Sequence, residues 1–380
     1  MERTAIFGGS FNPVHNEHIA IAKMAIEQLK LDRLIVMPTY IAPHKDASST
    51  SAEHRFNMLK LAFEKVEKVE VSDYEIKKGG TSYTYLTVEH FKNTLNGELF
   101  FLVGADMLKD FKTWRYPERI LSACTLCAFD RGGETTDYQL ERQNFINNYG
   151  KDFILLKGGG QKQSSTKIRV YNELGLDITL QTPKKVCDYI KENGLYLGDK
   201  YSEFIKKSLP QKRLVHTANV VISALAKYKE LGLDKRKVRI SAMLHDCAKY
   251  IDPKTVEGFS VPSDMPAPVV HAFLGAFIAK NYLGITDEDI INAIRYHTSG
   301  RAKMSALEKL IFTADMIEDG RVYEGVEQLR KLFYLTDFDE CFTTCLKEEM
   351  QHLLNKKQPI YFETLNAYEY FVKRKETKDE

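Results

Sequence analysis

Cysteine is scarce. Six thiols in 380 residues are too few to form a disulfide framework in a chain of this length. Cys124 and Cys127 have the CxxC spacing of a metal or redox pair, but they sit in an apolar run, residues 123–129, with no second pair downstream. They read as buried strand cysteines, and Cys341 and Cys345, four apart on one helical face, read the same way. Long apolar runs are also missing. None approaches the roughly 18 residues of a membrane helix, and no leader-like segment precedes the first apolar run. These absences predict a soluble, cytoplasmic protein with no membrane partner. Charge of one sign is absent as well: 54 Lys and Arg stand against 52 Asp and Glu, net +2, which argues against a nucleic-acid partner. A phosphate-rich small molecule needs only local positive charge.

The chain is long enough for two cores. Up to about residue 197, short apolar runs at 4–7, 33–37, 66–72, 99–103, 125–129 and 152–156 alternate with helical periodicity at 17–29, 51–65 and 82–95. That alternation predicts a mainly parallel sheet covered on both faces. Beyond Gly198 the amphipathic patterns continue without β-branched runs, which predicts an all-helical half. The expected domains are therefore 1–197, α/β with a Rossmann-like parallel sheet, and 198–380, all-α.

Gly8-Gly9-Ser10-Phe11-Asn12-Pro13-Val14-His15-Asn16-Glu17-His18 follows the first apolar run, so its glycines fall at the carboxyl end of a strand, where open α/β sheets bind nucleotides. Gly8 and Gly9 let a phosphate approach main-chain N–H groups ahead of a helix start, whose dipole adds attraction. His15 and His18, three apart, share one face of the first helical turn and can donate to phosphate oxygens as charge develops.

This string resembles the HxGH signature of the nucleotidyltransferase superfamily in the form found in bacterial nicotinate-nucleotide adenylyltransferases. Pro43-His44-Lys45, Ser82-Tyr83-Thr84, Gly104-Ala105-Asp106, Trp114 and Ser164-Ser165-Thr166-Lys167-Ile168-Arg169 follow in the order of that family. The resemblance implies transfer of AMP from ATP, with its Mg²⁺, to nicotinate mononucleotide, releasing pyrophosphate. It also implies that His15 and His18 are catalytic and hold the ATP phosphates with Gly8, Gly9, Ser10, Phe11, Lys45, Ser165, Thr166 and Arg169. Thr84 and Trp114 are implied on the nicotinate side, Gly104 and Asp106 on the adenosine side. Nicotinamide mononucleotide and phosphopantetheine are the alternative acceptors. Two positions depart from the family: Glu17 replaces the signature Gly and faces either solvent or Mg²⁺, and Leu86 replaces a common Asp. His90, a lone histidine on a helix, reads as structural.

The second half carries His216, His245-Asp246, His271, His297 and Asp315 in that order, with His352 outside the series. Imidazoles and carboxylates together suit iron, manganese or zinc, and an adjacent His-Asp pair on one helix reaches a metal when other helices supply the remaining ligands. His216, His245, Asp246 and Asp315 complete one metal site, and His271 with His297 holds a second, Asp246 bridging. The set resembles the HD-domain phosphohydrolases, and its surrounding strings resemble the bacterial branch that splits diadenosine tetraphosphate symmetrically into two ADP. That resemblance implies a di-metal centre favouring iron, with Asp246 and Lys249 catalytic and Lys249, Arg295 or Arg301 neutralising the polyphosphate. The alternatives are hydrolysis of another nucleotide and a non-catalytic nucleotide sensor.

Overall fold

Six short strands pair into one wholly parallel sheet in the computed structural model, which describes residues 1–42, 50–130, 137–158, 163–357 and 359–373. Lys45, with Pro43 and His44, lies outside the described residues. The chain divides into two compact units. The first comprises Met1–Arg169 and Asp177–Tyr196, the second Val170–Leu176 and Leu197–Glu380. The segment Val170–Leu176 thus belongs to the second unit although it precedes residue 198.

Up to residue 196 the order is β1 (Arg3–Gly9), α1 (Asn16–Gln28), β2 (Arg33–Pro38), α2 (Ala52–Phe63), β3 (Val69–Val71), α3 (Tyr74–Lys78), α4 (Thr84–Thr94), β4 (Glu98–Gly104), α5 (Asp106–Asp110), α6 (Pro117–Ala123), β5 (Thr125–Phe129), α7 (Tyr138–Tyr149), β6 (Ile154–Leu156), α8 (Ser165–Glu173), whose residues from Val170 on count with the second unit, and α9 (Lys184–Glu192). The sheet runs β3-β2-β1-β4-β5-β6. Ile6 sits between Ile35 and Phe101 in register, and these interior strands are buried along nearly their whole length, as parallel strands covered on both faces must be. Strand order reverses between β1 and β4, the switch point at which such sheets bind ligands. The carboxyl ends there are Gly8-Gly9 and Gly104. The expected runs 66–72 and 152–156 shrink to three residues each because β3 and β6 are edge strands with one neighbour apiece, which sets how far the ladder extends. Cys124 and Cys127 are buried, and burial pushes both thiols up to about 12.

The second unit is helical: α10 (Lys200–Ser208), α11 (Gln211–Lys227), α12 (Lys235–Leu244), α13 (Ala267–Asn281), α14 (Glu288–Arg295), α15 (Ala306–Ile317), α16 (Val326–Leu335), α17 (Phe338–Asn355) and α18 (Phe362–Tyr368). Side chains of Asp199, Asp234, Asp287, Ser305 and Asp337 accept from first-turn N–H groups, which is why five of these helices begin where they do. α11, α12, α14 and α15 pack around Leu244, Ile291, Ile294, Leu310 and Ile311, all fully buried or nearly so. Val170, Leu174 and Leu176 join this same core. Among the described residues no helix is long and apolar enough to cross a membrane.

Candidate functional sites

In the first unit the chain leaves β1 through Gly8 and Gly9. A side chain at Gly9 would bring its Cβ within 3.1 Å of the Phe11 ring. Phe11 itself takes a left-handed φ of 44° and is buried. His15 caps α1 in extended conformation, and His18 lies one turn in. Their rings stack at 3.6 Å, with Phe11 edge-on to His18 at 4.8 Å. The His15 backbone N–H donates to His18 Nδ1 at 3.1 Å. A backbone amide can only donate, so Nδ1 is the bare nitrogen and the proton of the neutral ring resides on Nε2, ready to donate onward.

The carbonyls of the intervening loop are engaged one by one. Arg55 Nη1 donates to Ser10 O at 2.9 Å, Arg169 Nη1 to Asn12 O at 2.6 Å, Ser165 Oγ to Pro13 O at 2.9 Å and Thr182 Oγ1 to Val14 O at 2.7 Å. Arg169 also donates to Thr166 Oγ1 at 3.0 Å. Oxygens that would repel a phosphate are occupied by protein donors, two of them guanidinium groups whose pKa is lowered by burial. Arg55 and Thr182 escaped the sequence reading. Both act on backbone carbonyls, which leave no residue signature.

Glu17 does not face solvent. It is buried, and its carboxylate accepts from the Gln163 N–H at 3.2 Å, holding the approach to Ser164-Ser165-Thr166. The solvent-facing alternative is thereby corrected: the position lies inside the first turn of α1 against residue 163. Leu86 packs on the apolar core of the unit. Gly104 closes β4, and Asp106 is exposed at the start of α5. Thr84 opens α4, while Trp114 is half-buried against Phe111. His90 stacks on Tyr74 at 4.0 Å.

In the second unit five segments bring the histidine and aspartate series together. His216 rides on α11, His271 on α13 and Asp315 on α15. His245 and Asp246 are not helical: α12 ends at Leu244, and the pair occupies a turn with short-range bonds from Cys247 N to Leu244 O and from Lys249 N to Asp246 O. Tightening of the chain after α12 corrects the expectation of one continuous helix. His297 follows α14 in a similar turn.

The geometry is that of a cation site. His245 Nδ1 donates to Ala242 O at 2.7 Å and His297 Nδ1 to Ile294 O at 2.8 Å. Carbonyls only accept, so both rings turn bare Nε2 atoms toward the cluster. His216 Nε2 lies 3.2 Å from His245 Nε2, and His271 Nε2 lies 3.3 Å from His297 Nε2. Such facing lone pairs suit a cation drawing on both. Asp246 serves each side: Oδ1 is 3.0 Å from His271 and 3.5 Å from His297, while Oδ2 is 3.7 Å from His216 and from His245. Potential ligand atoms gather within 4.8 Å in the triads His216–His245–Asp246, His245–His297–Asp315 and Asp246–His271–His297. Burial lowers His245 to about 3, keeping it neutral. Burial alone would raise Asp246, but His245, His271 and His297 hold it well below the usual carboxylate range.

Several partners come from outside the expected series. Arg213 Nη1 donates to Asp246 Oδ2 at 2.8 Å, Arg321 pairs with Asp315, and Glu318 Oε1 accepts from His216 Nδ1 at 3.1 Å. Arg213 and Glu318 each stand three residues from a member of the series, His216 and Asp315, a helical spacing that could have flagged them. Lys249 Nζ lies 3.1 Å from His271 Nε2 and 3.7 Å from Asp246 Oδ1. Arg301 is engaged by the buried Glu308 carboxylate, and Arg295 by Asn292. A cavity of about 480 Å³ opens beside the cluster, bounded by His297, Asp315, Arg321, Tyr323, Glu349 and by His352, the histidine outside the ordered series.

Comparison with known proteins finds matches in both halves of the chain. Residues 6–170 match the cytidylyltransferase-like family and residues 213–320 the HD domain. A Mycoplasma pneumoniae protein described as a "probable nicotinate-nucleotide adenylyltransferase/Ap4A hydrolase" is 31% identical over 326 residues, 84% of this chain and 89% of that protein. A "probable nicotinate-nucleotide adenylyltransferase" of Clostridium tetani is 41% identical over 199 residues, 52% of this chain and all of that protein. A crystal structure described as that of a "predicted HD superfamily hydrolase involved in NAD metabolism" from Clostridium acetobutylicum, 31% identical, covers 46% of this chain and 97% of its own with a TM-score of 0.42. With a nucleotidyltransferase-like unit and an HD unit in the same order as a relative similar along most of both chains, the chain belongs to the bifunctional nicotinate-nucleotide adenylyltransferase/Ap4A hydrolase family.

Proposed function

We propose that the first unit transfers the adenylyl group of ATP to nicotinate mononucleotide and that the second hydrolyses diadenosine tetraphosphate to two ADP, both in the cytoplasm. In the first reaction a phosphate oxygen of nicotinate mononucleotide attacks the α-phosphorus of Mg²⁺-bound ATP. The new P–O bond forms as the α–β bridge breaks, and pyrophosphate leaves. The His15 and His18 rings and the N–H groups of the Gly8-Gly9 turn meet the phosphate charge that grows in this step. Ser165, Thr166 and Arg169 hold the loop behind them, and Gly104, Asp106, Thr84 and Trp114 line the substrate side. What supports this is the stacked histidine pair at a helix start on the switch point of the sheet.

In the second unit His216, His245, Asp246 and Asp315 would hold one divalent ion and His271 and His297 another, with Asp246 between them; iron is the first candidate, then manganese or zinc. Bound there, paired ions supply a water of lowered pKa and a clamp on phosphate oxygens. Asp246 keeps the two ligand groups in register, Lys249 sets positive charge beside His271, and Arg321 brings a guanidinium to the cavity. Water adds across the central phosphoanhydride, giving ADP twice. The observation that carries this reading is the single Asp246 carboxylate shared between two histidine groups.

The test has two arms. Product formation from ATP is compared with nicotinate mononucleotide, nicotinamide mononucleotide and phosphopantetheine as acceptors, expecting preference for the first. Metal-reconstituted protein is then given diadenosine tetraphosphate and its products are separated. ADP alone supports the proposal, ATP with AMP indicates off-centre cleavage, and no hydrolysis of any nucleotide by metal-loaded protein leaves the second unit as a nucleotide sensor.

A further inference from the structure

His216 differs from the other histidines of the cluster. His245 and His297 rest their Nδ1 atoms on backbone carbonyls of their own turns, so their ring planes are set locally. His216 instead rests its Nδ1 on a carboxylate 102 residues away, Glu318. Glu318 is 2% exposed and its carboxylate is multiply held: Oε2 accepts from Asn219 Nδ2 at 2.8 Å and from the Gly320 N–H at 2.6 Å. Asn219, itself 5% exposed, is held from the other side as well, where its Oδ1 accepts from the Tyr171 hydroxyl at 3.1 Å. The Glu318 carboxylate only accepts, so it requires the amide nitrogen on its own side and leaves Oδ1 to receive the Tyr171 hydroxyl.

Tyr171 belongs to Val170–Leu176, outside the residues 213–320 that match the HD domain but within the second unit. Its helix neighbours Val170 and Leu174, with Leu176, anchor the segment in that unit's core. We propose that Tyr171, Asn219 and Glu318 form a positioning relay for His216, so that a segment preceding the HD sequence tunes one of the two ion sites. The proposal rests on reading the cluster as a metal centre. Glu318 fixes the tautomer that leaves Nε2 bare and raises the basicity of the ring through its charge. Asn219 stops the carboxylate from rotating, and the Tyr171 hydroxyl holds the amide in place against it. The relay's hydrogen bonds end on His216, so it acts on the His216–His245 side.

The experiment uses the full chain, stripped by chelator and titrated with Co²⁺, whose absorption spectrum reports ligand geometry. Wild type, Tyr171→Phe, Asn219→Ala and Glu318→Gln are compared, with melting of the stripped proteins and adenylyl transfer as measures of folding. Glu318→Gln is expected to weaken the first Co²⁺ equivalent roughly 10–100-fold, as loss of an outer partner of a ligating histidine does. Tyr171→Phe is expected to cause a smaller loss in the same equivalent and to alter its spectrum, while the second equivalent stays as in wild type. Equal affinity and identical spectra in wild type, Tyr171→Phe and Glu318→Gln overturn the relay. If Glu318→Gln melts early, Tyr171→Phe, which removes one oxygen atom, decides alone. Failure of wild type to bind Co²⁺ overturns the metal reading itself, a different result from equal binding by all four proteins.

Discussion

His18 is held between the His15 ring and the edge of Phe11, with Nδ1 filled by a backbone donor. Its Nε2 carries the ring proton, so truncation removes a donor aimed by three separate contacts. His18→Ala should lower adenylyl transfer about 100–1,000-fold while leaving hydrolysis of diadenosine tetraphosphate intact; near-normal pyrophosphate release would take His18 out of the mechanism. Glu17 calls for a different pair of variants. Its carboxylate accepts from Gln163 N–H, and Gln keeps an accepting oxygen where Ala has none. Glu17→Gln should therefore retain the wild-type Mg²⁺ titration curve, and Glu17→Ala should raise KM for ATP by loosening the approach to Ser165. A shifted Mg²⁺ curve in Glu17→Gln would mean that the carboxylate holds the ion.

Elements decide which residues meet. The turn after α12 brings His245 Nε2 and Asp246 Oδ2 within 3.7 Å of each other, and Asp246 there meets histidines from α11, α13 and the turn after α14. Asp246→Asn keeps the shape and an oxygen for Arg213 but removes the charge shared by both ion sites. Elemental analysis should find the paired metals lost and chromatography should find no ADP, with adenylyl transfer unchanged. Much of this was legible beforehand, because phosphate loops and metal ligands recur as ordered strings: GGSFNPVHNEH and the H…HD…H…H…D series needed no coordinates. Arg55, Asn219 and Tyr171 were not legible. Each acts through long-range hydrogen bonds, and no local periodicity or spacing announces a partner tens of residues away. The helix expected through His245-Asp246 failed for a related reason: periodicity reports which face is apolar, and the apolar face persists through the turn in Cys247 and Ala248.

For the whole molecule, the division of the chain bears on how it can be cut. A fragment of residues 198–380 lacks Val170, Leu174 and Leu176, which are 4%, 2% and 7% exposed in the second unit's core. Burying an aliphatic side chain of this size contributes roughly 1.5–3 kcal/mol, so this fragment should melt well below one beginning at residue 166. Coincident melting curves of the two would return the boundary to residue 198.

The same division has a consequence during synthesis. The chain enters the second unit at Val170, returns to the first at Asp177 and leaves it again at Leu197. Domains fold as they emerge, amino-terminal first, so the first unit can close once residue 196 has left the ribosome. At that moment Val170, Leu174 and Leu176 have no core to enter, because α11, α12, α14 and α15 have yet to be made. For more than a hundred further codons, a short apolar stretch waits uncovered on a nascent chain whose amino-terminal sheet is already complete.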